Sequence, residues 1–456
     1  MARTTMAYVP HTEAERTEML AAIGVDRVDR LFGDVPEAVR FPKLKLPPAA
    51  SEIDIEREMR ALAAANAGAT AEACFLGAGA YHHYRPATVD YVLQRGELYT
   101  AYTPYQPEVS QGVLQALFEY QSMICRLTAM EVSNASHYDG ATALAEAVLL
   151  ALNAAQGQRN KILLSPAVHP QYRAVVRTYL RGTHAAVVTG DEEGEAGLEE
   201  LKSRLDDATA ALVIQNPNFL GQFEPVDGLA DAVHAAGALL IVVADPIALG
   251  RFRPPGAYGA DIVVAEGQCL GIAPSFGGPH LGIFATRMAH VRRLSGHIAG
   301  ETVDSEGRRG YVLTLATREQ HIRRAKATSN ICTNSTACAL AAAAYLATMG
   351  RSGLRQVAEL CFRNSHYAAA RIASLAGFAI NPQAPQRPFF KEFVVRLPRP
   401  AAEVNARLRE DFGTIGGYDL GLDYPHLRQH MLIAVTELNP RAAVDRLVAG
   451  LEQIAR

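Results

Sequence analysis

Between Cys74 and Met349, short apolar runs alternate with helical stretches, and this alternation limits the fold more than any other feature of the chain. The strand-like runs are Lys161–Leu164, Ala185–Val188, Ala210–Gln215, Leu239–Ala244, Asp261–Val264 and Gly282–Thr286. Helical stretches lie between several of them, for example around Leu198–Leu205 and Leu229–Ala236. Alternating strands and helices are typical of a mostly parallel sheet covered by helices. We therefore predict an α/β domain.

Two further parts flank this domain. Near the N-terminus, Thr12 and Glu15 have the spacing of a capping box, and Ser51 is placed to begin a second helix. Arg40–Ala50 between them is proline-rich and predicted to be extended. After an alanine-rich helix, Thr336–Met349, helices and strands mix again. We predict an N-terminal arm (1–60), a large α/β domain (61–349) and a smaller C-terminal α+β domain (350–456).

Composition excludes several classes of protein. The 456 residues carry a net charge of -3, which gives no reason to expect a nucleic acid or an acidic membrane as partner. The six cysteines form no C-x-x-C pair, so neither a disulfide framework nor a structural zinc site is indicated. The longest apolar run, Ala337–Met349, falls short of the roughly 20 residues that span a bilayer. With no secretory signal at the N-terminus, we expect a cytoplasmic globular protein.

A polar loop comes just before an amphipathic helix that starts near residue 111. Its candidate binding residues are Tyr102, Tyr105, Gln106, Glu108, Ser110 and Gln111. Polar groups in such a loop need partners, and a polar substrate is one solution. A self-satisfied turn with Ser110 as helix cap is the other. Local sequence leaves both interpretations open.

Two segments have the chemistry of an anion or cofactor site. Asp139, Gly140 and Thr142 begin a helix, whose free N–H groups favour an anion such as a phosphate. Asp245 ends a buried strand, where a carboxylate can hold a protonated ring nitrogen or simply cap a loop. The adjacent histidines, His82 and His83, point in different directions and lack a carboxylate at a metal-ligand offset, so no metal site is expected.

Several longer motifs, in this order, resemble one family over essentially the whole chain. They are YVPHTEAERTEMLAAIGV, FLGAGAYHHYRPATV, YTPYQPEVSQGVLQALFEYQ, NASHYDGATALAEA, NPNFLGQFEP, FGGPHLGIFATR and REQHIRRAKATSNICTN. Each is ten or more residues long, so the match is specific. The chain is similar to the N-terminal half of the glycine cleavage system P-protein, and its length is similar to that of the alpha chain where this enzyme is split in two.

The resemblance implies a fold-type I, aspartate aminotransferase-like architecture with a mostly parallel sheet of seven-stranded type. It also implies pyridoxal phosphate (PLP) as cofactor, bound as a Schiff base to a lysine. The family decarboxylates glycine and passes the aminomethyl group to the lipoyl arm of the H-protein. The implied partners are therefore a PLP-carrying beta subunit, in an α2β2 heterotetramer, and the lipoylated H-protein.

The chain departs from this family pattern at the lysine. In fold-type I enzymes the Schiff-base lysine lies between the strand after the ring-binding aspartate and the glycine-rich turn. That interval here, Asp261–Gly278, contains no lysine, and the expected slot falls near Cys269. Asp139, Gly140, Thr142, Asp245 and Cys269 are therefore interpreted as positions of a degenerate PLP site. Of the six lysines in the chain, Lys326 is the nearest alternative in sequence.

We expect no catalytic residue in this chain and PLP bound covalently by the partner. The polar loop from Tyr102 to Gln111, called the tyrosine–glutamine loop below, is predicted to line the partner's pocket. Arg323, Lys326 and Asn330 are weaker candidates for carboxylate or phosphate contacts. The arm Tyr8–Pro48 is predicted to wrap the partner. Two alternatives stay open, namely a self-sufficient PLP enzyme using Lys326 and a purely structural scaffold.

Overall fold

The computed structural model describes residues 11–66, 73–99, 102–190, 197–331 and 333–456. Tyr8, where the predicted arm begins, and Cys332 lie outside these ranges. Within them, no helix combines the length and apolar character needed to cross a membrane. The chain divides into a small unit, 1–67, and a large unit, 68–456, and each is described by itself.

The small unit contains two helices, α1 (Glu13–Ile23) and α2 (Glu52–Ala64). The capping box predicted for α1 is confirmed, since Thr12 and Glu15 each bond the other's backbone N–H. Ser51 caps α2 as predicted, accepting a hydrogen bond from the N–H of Asp54. Neither helix buries a residue. Large apolar side chains are exposed along the described part of this unit, including Ile23, Val39, Phe41, Leu44, Leu46, Ile53, Met59 and Leu62.

The large unit is built from alternating helices and strands. Its helices are α3 (Ala87–Leu93), α4 (Gly96–Tyr99), α5 (Gln111–Thr128), α6 (Gly140–Ala154), α7 (Pro170–Leu180), α8 (Leu198–Ser203), α9 (Leu229–Ala235), α10 (Gln320–Arg323), α11 (Thr336–Ala373), α12 (Ala401–Phe412) and α13 (Arg441–Ala455). Its strands are β1 (Ala73–Cys74), β2 (Val132–Ser133), β3 (Lys161–Leu164), β4 (Ala186–Val188), β5 (Thr209–Asn216), β6 (Leu239–Ala244), β7 (Ile262–Glu266), β8 (Gly282–Thr286), β9 (Ala299–Val303), β10 (Arg309–Leu313), β11 (Ala379–Ile380), β12 (Glu392–Arg396), β13 (Thr414–Ile415), β14 (Tyr418–Asp419) and β15 (His430–Ala434).

Seven of the described strands form the central sheet, in the order β2-β8-β7-β6-β5-β3-β4. The pairs from β7 through β6, β5 and β3 to β4 are parallel, whereas β8 is antiparallel to both β7 and β2. All six predicted strands are present, with bounds within two residues of the prediction. Their apolar runs are buried on both faces by two separate clusters of side chains, as expected for a helix-covered sheet.

The C-terminal part carries a second, antiparallel sheet of four described strands, in the order β11-β12-β15-β14. The chain reaches it through α11, which is interrupted at Gly350, where φ is +59°. Residues 73–84 contact this sheet although they lie far away in sequence. β1 pairs with β13, and the backbone of Phe75 bonds to Ile415 and Ala434. This segment, β12 and the central sheet therefore meet in one place.

A candidate site at the carboxyl ends of the parallel strands

The large unit contains a cavity where the strands β5, β6 and β7 end. Sheets of this type bind ligands at this edge. The volume of the cavity is about 40 Å³. That is room for a few water molecules, whereas pockets for small molecules measure roughly 300–1,000 Å³. The lining includes Gly79, Tyr81, His169, Tyr172, Gln215, Asn218, Asp245, Glu266, Cys269, Lys391 and Glu392.

Asp245 is paired with a lysine that comes from the other end of the chain. Lys391 precedes β12, and its Nζ lies 2.8 Å from Oδ2 of Asp245. The Oδ1 atom of Asp245 accepts hydrogen bonds from the backbone N–H groups of Ile247 and Ala248. The lysine side chain is only 1% exposed. Burial acts to lower the pKa of Lys391, but the surrounding groups together, chiefly the carboxylate of Asp245, raise it above its ordinary value. Lys391 is therefore a buried ammonium.

Two further contacts hold this ammonium. Its Nζ lies 3.5 Å from the ring centroid of Tyr81, a cation–π contact, and 3.2 Å from Nε2 of His83. Burial, followed by the charge of Lys391, lowers the pKa of His83. Neutral His83 then accepts at Nε2 and donates from Nδ1 to Glu437, at 2.7 Å. Although burial acts to raise it, the hydrogen bonds from His83 and Tyr84 lower the pKa of Glu437 to about 2.

His83 and Glu437 also belong to a group that resembles a metal site. With Cys361, they place one potential ligand atom each within 4.8 Å of one another. The hydrogen bond between His83 and Glu437 already uses two of these atoms. The ammonium of Lys391, beside the same imidazole, would repel a cation. The group is therefore explained as part of the hydrogen-bond network.

Glu392, next to Lys391, ties the C-terminal sheet to the 73–84 segment. Its Oε1 accepts from the N–H of Ala78 and its Oε2 from the hydroxyl of Tyr81, both at 2.8 Å. Burial raises the pKa of Glu392. The neighbouring residues Lys391 and Glu392 thus fix Asp245 and Tyr81, respectively.

The start of α6 is already supplied with a carboxylate. Asp139 and Thr142 form a capping box with each other, so their side chains are satisfied locally. The N–H of Gly140 donates to Oε2 of Glu266 at 3.0 Å. The other oxygen of Glu266 accepts from the N–H groups of Gln268 and Leu281. The helix N-terminus that was predicted to hold an anion therefore binds an anion of this chain itself.

His169, directly before α7, also lines the cavity. Its Nε2 donates to the carbonyl of Ala78 at 2.9 Å. Tyr172 stacks on its ring, with centroids 4.9 Å apart and an interplanar angle of 23°. Phe219 packs against the same ring at 4.7 Å. His169 thus lines the cavity, but one face of its imidazole is covered by Tyr172.

Cys269, near which the Schiff-base lysine is expected, is buried and lines the cavity. Its thiol cannot replace the amine of a lysine. The adjacent Gln268 holds the backbone of Tyr81 through both of its amide atoms. The residues present do not fit a PLP molecule. The slot lacks a lysine, Asp245 and Gly140 are already bonded, and the free volume is too small.

The tyrosine–glutamine loop lies elsewhere, beside a depression of about 620 Å³. Tyr102, Tyr105, Gln106 and Ser110 line this depression, whereas Glu108 and Gln111 do not. Tyr102 is 87% exposed, and the half-exposed ring of Tyr105 contacts His297 edge-on. Ser110 precedes α5 without a capping hydrogen bond from its side chain. Gln111 accepts from the N–H of Tyr311 and donates to its carbonyl, so it fixes β10.

The second group of candidates is not in the cavity. Arg323 ends α10, Lys326 belongs to a short 3₁₀ turn after it, and Asn330 follows in a loop. All three are exposed. The structure thus separates two groups from the loop candidates and these basic residues: Asp245 and Cys269, which line the cavity, and Gly140, which bonds to the cavity residue Glu266.

Sequence reasoning missed most residues of the cavity, among them Lys391, Glu266 and Tyr172. Of these three, Lys391 carried the only usable signal, since it and Glu392 are charged residues directly before the apolar run of β12. Glu266 and Tyr172 have no local pattern that distinguishes them from surface residues. Their roles depend on which elements lie opposite them.

Comparison with known proteins supports the same family. The model of the family described as glycine cleavage system P-protein matches residues 6–451. The chain is 54% identical over 450 residues to "Probable glycine dehydrogenase (decarboxylating) subunit 1" of Thermomicrobium roseum, covering 98% of this chain and 99% of that protein. It is 52% identical over 446 residues to the protein of the same name from Geobacillus kaustophilus, covering 97% and 98%.

Solved structures agree. The chain resembles a crystal structure of glycine decarboxylase (P-protein) of the glycine cleavage system in inhibitor-bound form, with a TM-score of 0.90 and 45% identity over 98% of this chain and 100% of the other. A crystal structure of mouse CSAD shares the fold, with a TM-score of 0.69 and 16% identity over 91% and 90% of the two chains. The predicted fold-type I architecture is confirmed, and the chain belongs to the glycine cleavage system P-protein family.

Proposed function

We propose that this chain is subunit 1 of a two-chain glycine dehydrogenase (decarboxylating) of the glycine cleavage system. The observation that carries the proposal is its 54% identity to a relative of that name over 98% of this chain and 99% of the relative. Similarity over nearly the full length of both proteins leaves no large part without a counterpart. The activity of the pair is the decarboxylation of glycine, followed by transfer of the aminomethyl group to the lipoyl arm of the H-protein in the cytoplasm.

In this proposal the partner, subunit 2, binds PLP covalently. Two features of this chain support that division. The interval Asp261–Gly278 has no lysine, and the one lysine that reaches the cavity, Lys391, is a protonated ammonium held by Asp245. A Schiff base requires a neutral amine beside the aldehyde carbon, whereas Lys391 occupies the end of the pocket where the ring nitrogen would lie. Lys326, the earlier alternative, is exposed and outside the cavity.

This chain is proposed to complete the partner's active site with its tyrosine–glutamine loop. The support is geometric. Tyr102 and Val109 are at least 80% exposed, and with Tyr105 and Gln106 they border the open depression of about 620 Å³. Exposed aromatic and apolar side chains beside polar amides are typical of surfaces that bind another protein or a polar ligand.

The N-terminal arm is proposed to contact the partner as well. In its described part, helix α1 buries none of its residues, and the apolar side chains of Val39, Phe41 and Leu44 are exposed. Deletion of the arm through Pro48 is expected to weaken association with subunit 2, as measured by sedimentation velocity of the mixed chains. Unchanged association would refute this part of the proposal.

The first experiment tests which chain carries the cofactor. The full chain is purified alone and mixed with PLP, and its visible absorption spectrum is recorded. We expect no band of lysine-bound PLP, whereas subunit 2 should show one. A band that appears in this chain and disappears in Lys326→Ala would establish a self-sufficient enzyme instead.

The second experiment separates a pocket wall from a scaffold. Tyr105→Ala and Gln106→Ala are each combined with subunit 2, and release of CO₂ from carboxyl-labelled glycine is measured at equal complex concentration. We expect a fall of at least about tenfold in kcat/KM, because each variant removes a contact to the substrate pocket. Tyr91→Ala, an exposed tyrosine of α3, is the matched control. Unchanged decarboxylation in both loop variants would favour the scaffold.

A further inference from the structure

The three chemical positions of a PLP-type pocket are each filled by a side chain of this protein. Resting on the function proposed above, we infer that Lys391, Tyr172 and Glu266 are built-in substitutes for the cofactor. Lys391 replaces the protonated ring nitrogen, Tyr172 the stacked ring and Glu266 the phosphate. The pocket therefore excludes PLP and related pyridine phosphates even without covalent bonding, and it also fastens the C-terminal sheet to the central one.

At the ring-nitrogen position, Asp245 already has a cation. The ammonium of Lys391 lies 2.8 Å from its carboxylate and is fully buried between Tyr81 and His83. A pyridinium ring can approach Asp245 only if Lys391 is expelled. Expulsion would leave an unpaired buried charge, since no other carboxylate lies within ion-pair distance of this ammonium in the described residues.

At the phosphate position, the carboxylate of Glu266 caps α6. It accepts three backbone hydrogen bonds, from Gly140, Gln268 and Leu281. An incoming phosphate would compete for the N–H of Gly140 and would be repelled by the carboxylate at close range. Glu266 also ends β7, so its side chain is aimed at the helix by the strand itself.

At the ring position, the space between the strand ends and His169 is taken by Tyr172. The two rings are stacked, and Tyr172 also lies against the start of α6, where a Cβ added at Gly140 would come within 2.3 Å of its hydroxyl. The remaining cavity of about 40 Å³ does not admit an aromatic ring with its phosphate. The three replacements thus act together.

The substitutes come from three separate elements. Glu266 and Tyr172 belong to β7 and α7, whereas Lys391 directly precedes β12 of the C-terminal sheet. Its bond to Asp245, together with the bonds of Glu392 to Ala78 and Tyr81, joins that sheet to the strand ends. An ordinary ligand that enters and leaves would not provide this constant connection. The pocket therefore has a structural role, namely to connect the C-terminal sheet to the central sheet.

The test is a gain of binding. The probe is pyridoxine 5'-phosphate, which has the ring nitrogen and the phosphate but no aldehyde, so it cannot bond covalently to a lysine. The full chain is titrated by isothermal calorimetry as wild type and as the double variant Lys391→Ala/Glu266→Ala in a Tyr172→Ala background, which empties all three positions. We expect no saturable binding by the wild type at millimolar probe and an affinity at least tenfold higher in the double variant. Circular dichroism establishes that the variant is folded.

Two further variants identify the cause of the gain. In the first, Lys391→Met replaces Lys391→Ala in the double variant, which removes the charge but keeps most of the bulk. We expect it to bind the probe more weakly than the variant with Lys391→Ala. Asp245→Asn added to the double variant should abolish the gain, because the pyridinium then lacks its counter-charge. A gain that is the same with and without Asp245 would overturn the assignment of Lys391 to the ring-nitrogen position.

The wild type alone also tests the inference, in case the double variant does not fold. Saturable binding of pyridoxine 5'-phosphate to the wild-type chain, competed by inorganic phosphate, would overturn it. So would a folded double variant without any gain. Neither result would affect the proposed function, which depends on glycine decarboxylation by the complex with subunit 2. Conversely, absent decarboxylation would leave the filled pocket unchanged.

Discussion

The ammonium of Lys391 and the carboxylate of Asp245 lie 2.8 Å apart in the interior of this protein, 146 positions apart in sequence. Strand β6 delivers the aspartate to the edge of the central sheet, and the segment before β12 delivers the lysine from the C-terminal sheet. The pair therefore joins the two sheets at the place where related folds hold a cofactor.

Breaking this pair should destabilise the protein strongly. For Lys391→Met we expect the free energy of unfolding to fall by about 3–5 kcal/mol, since Asp245, whose side chain is only 15% exposed, is left without its counter-charge. Adding Asp245→Asn should restore a large part of the loss, because the amide oxygen still accepts the bonds of Ile247 and Ala248. Urea denaturation measures both. Lys202→Met, which removes an exposed ion pair with Glu199, should cost less than about 1 kcal/mol.

If Lys391→Met proves as harmless as Lys202→Met, the pair does not join the sheets. Equal losses in the single and double variants would show that Asp245 needs no counter-charge.

Stability should fall in weak acid because of His137. Burial lowers the pKa of His137 to about 3, while the same group in the unfolded chain titrates near 6.5. Between these values the unfolded chain binds the proton and the folded one does not. Stability is therefore full above about pH 6.5 and falls by about 1.4 kcal/mol per pH unit below it.

This slope is measured by urea denaturation between pH 7 and pH 5. His137→Gln, which keeps a donor toward Ser295, should have a smaller slope than the wild type. His83 and His169, whose pKa values burial also lowers, contribute equally to both proteins. If the unfolding free energy falls equally steeply with pH in the wild type and in His137→Gln, His137 is not the cause of the slope.

Gly221 should not tolerate a side chain. Its φ is +84°, and a Cβ would come within 2.1 Å of the carbonyl oxygen of Glu392. Gly221→Ala is expected to cost at least about 3 kcal/mol, because backbone strain and a clash with backbone add together. Gly228→Ala is the control, since its φ of +71° is similar but no atom lies within 4 Å. It should cost about 1 kcal/mol in thermal unfolding. Equal costs would mean that β12 moves freely away from Gly221.

Gln111 should matter for stability more than for catalysis. Its side chain makes two hydrogen bonds to the backbone of Tyr311, so Gln111→Ala is expected to lower the unfolding free energy by about 1–3 kcal/mol. Gln115→Ala, which removes a surface contact to Glu119 on the same helix, should change it by less than about 0.5 kcal/mol. The Gln111 variant should decarboxylate glycine at a near-normal rate once assembled with subunit 2. A large loss of kcat without a loss of stability would place Gln111 in the active site.

Much of the fold was predictable because its signals are local. The strands from Lys161 to Thr286 are short apolar runs buried on both faces, and their bounds agree with the prediction within two residues. The caps at Thr12 and Ser51 each involve a residue three positions away, so they too are visible in sequence. By contrast β2 and the hairpin β9–β10 were not predicted, because they are short or partly exposed and lack a buried apolar run.

The candidate site was predictable only in part. Asp139 and Gly140 were expected at a helix start and Asp245 at a strand end; Asp245 lines the cavity, and Gly140 bonds to Glu266, which lines it too. What their groups bind was not expected. Gly140 and Asp245 take their partners from β7 and from the segment before β12, at sequence separations of 126 and 146 residues.

The sequence by itself determined that the lysine slot of this fold is empty, because six lysines are few enough to locate one by one. Only the tertiary structure decided what stands in the cofactor's place. Lys391 was counted among the six and set aside, since nothing near it in sequence indicates that its ammonium is buried beside Asp245. A charge is stable in the interior only with a counter-charge and hydrogen bonds, and folding alone brings those groups together.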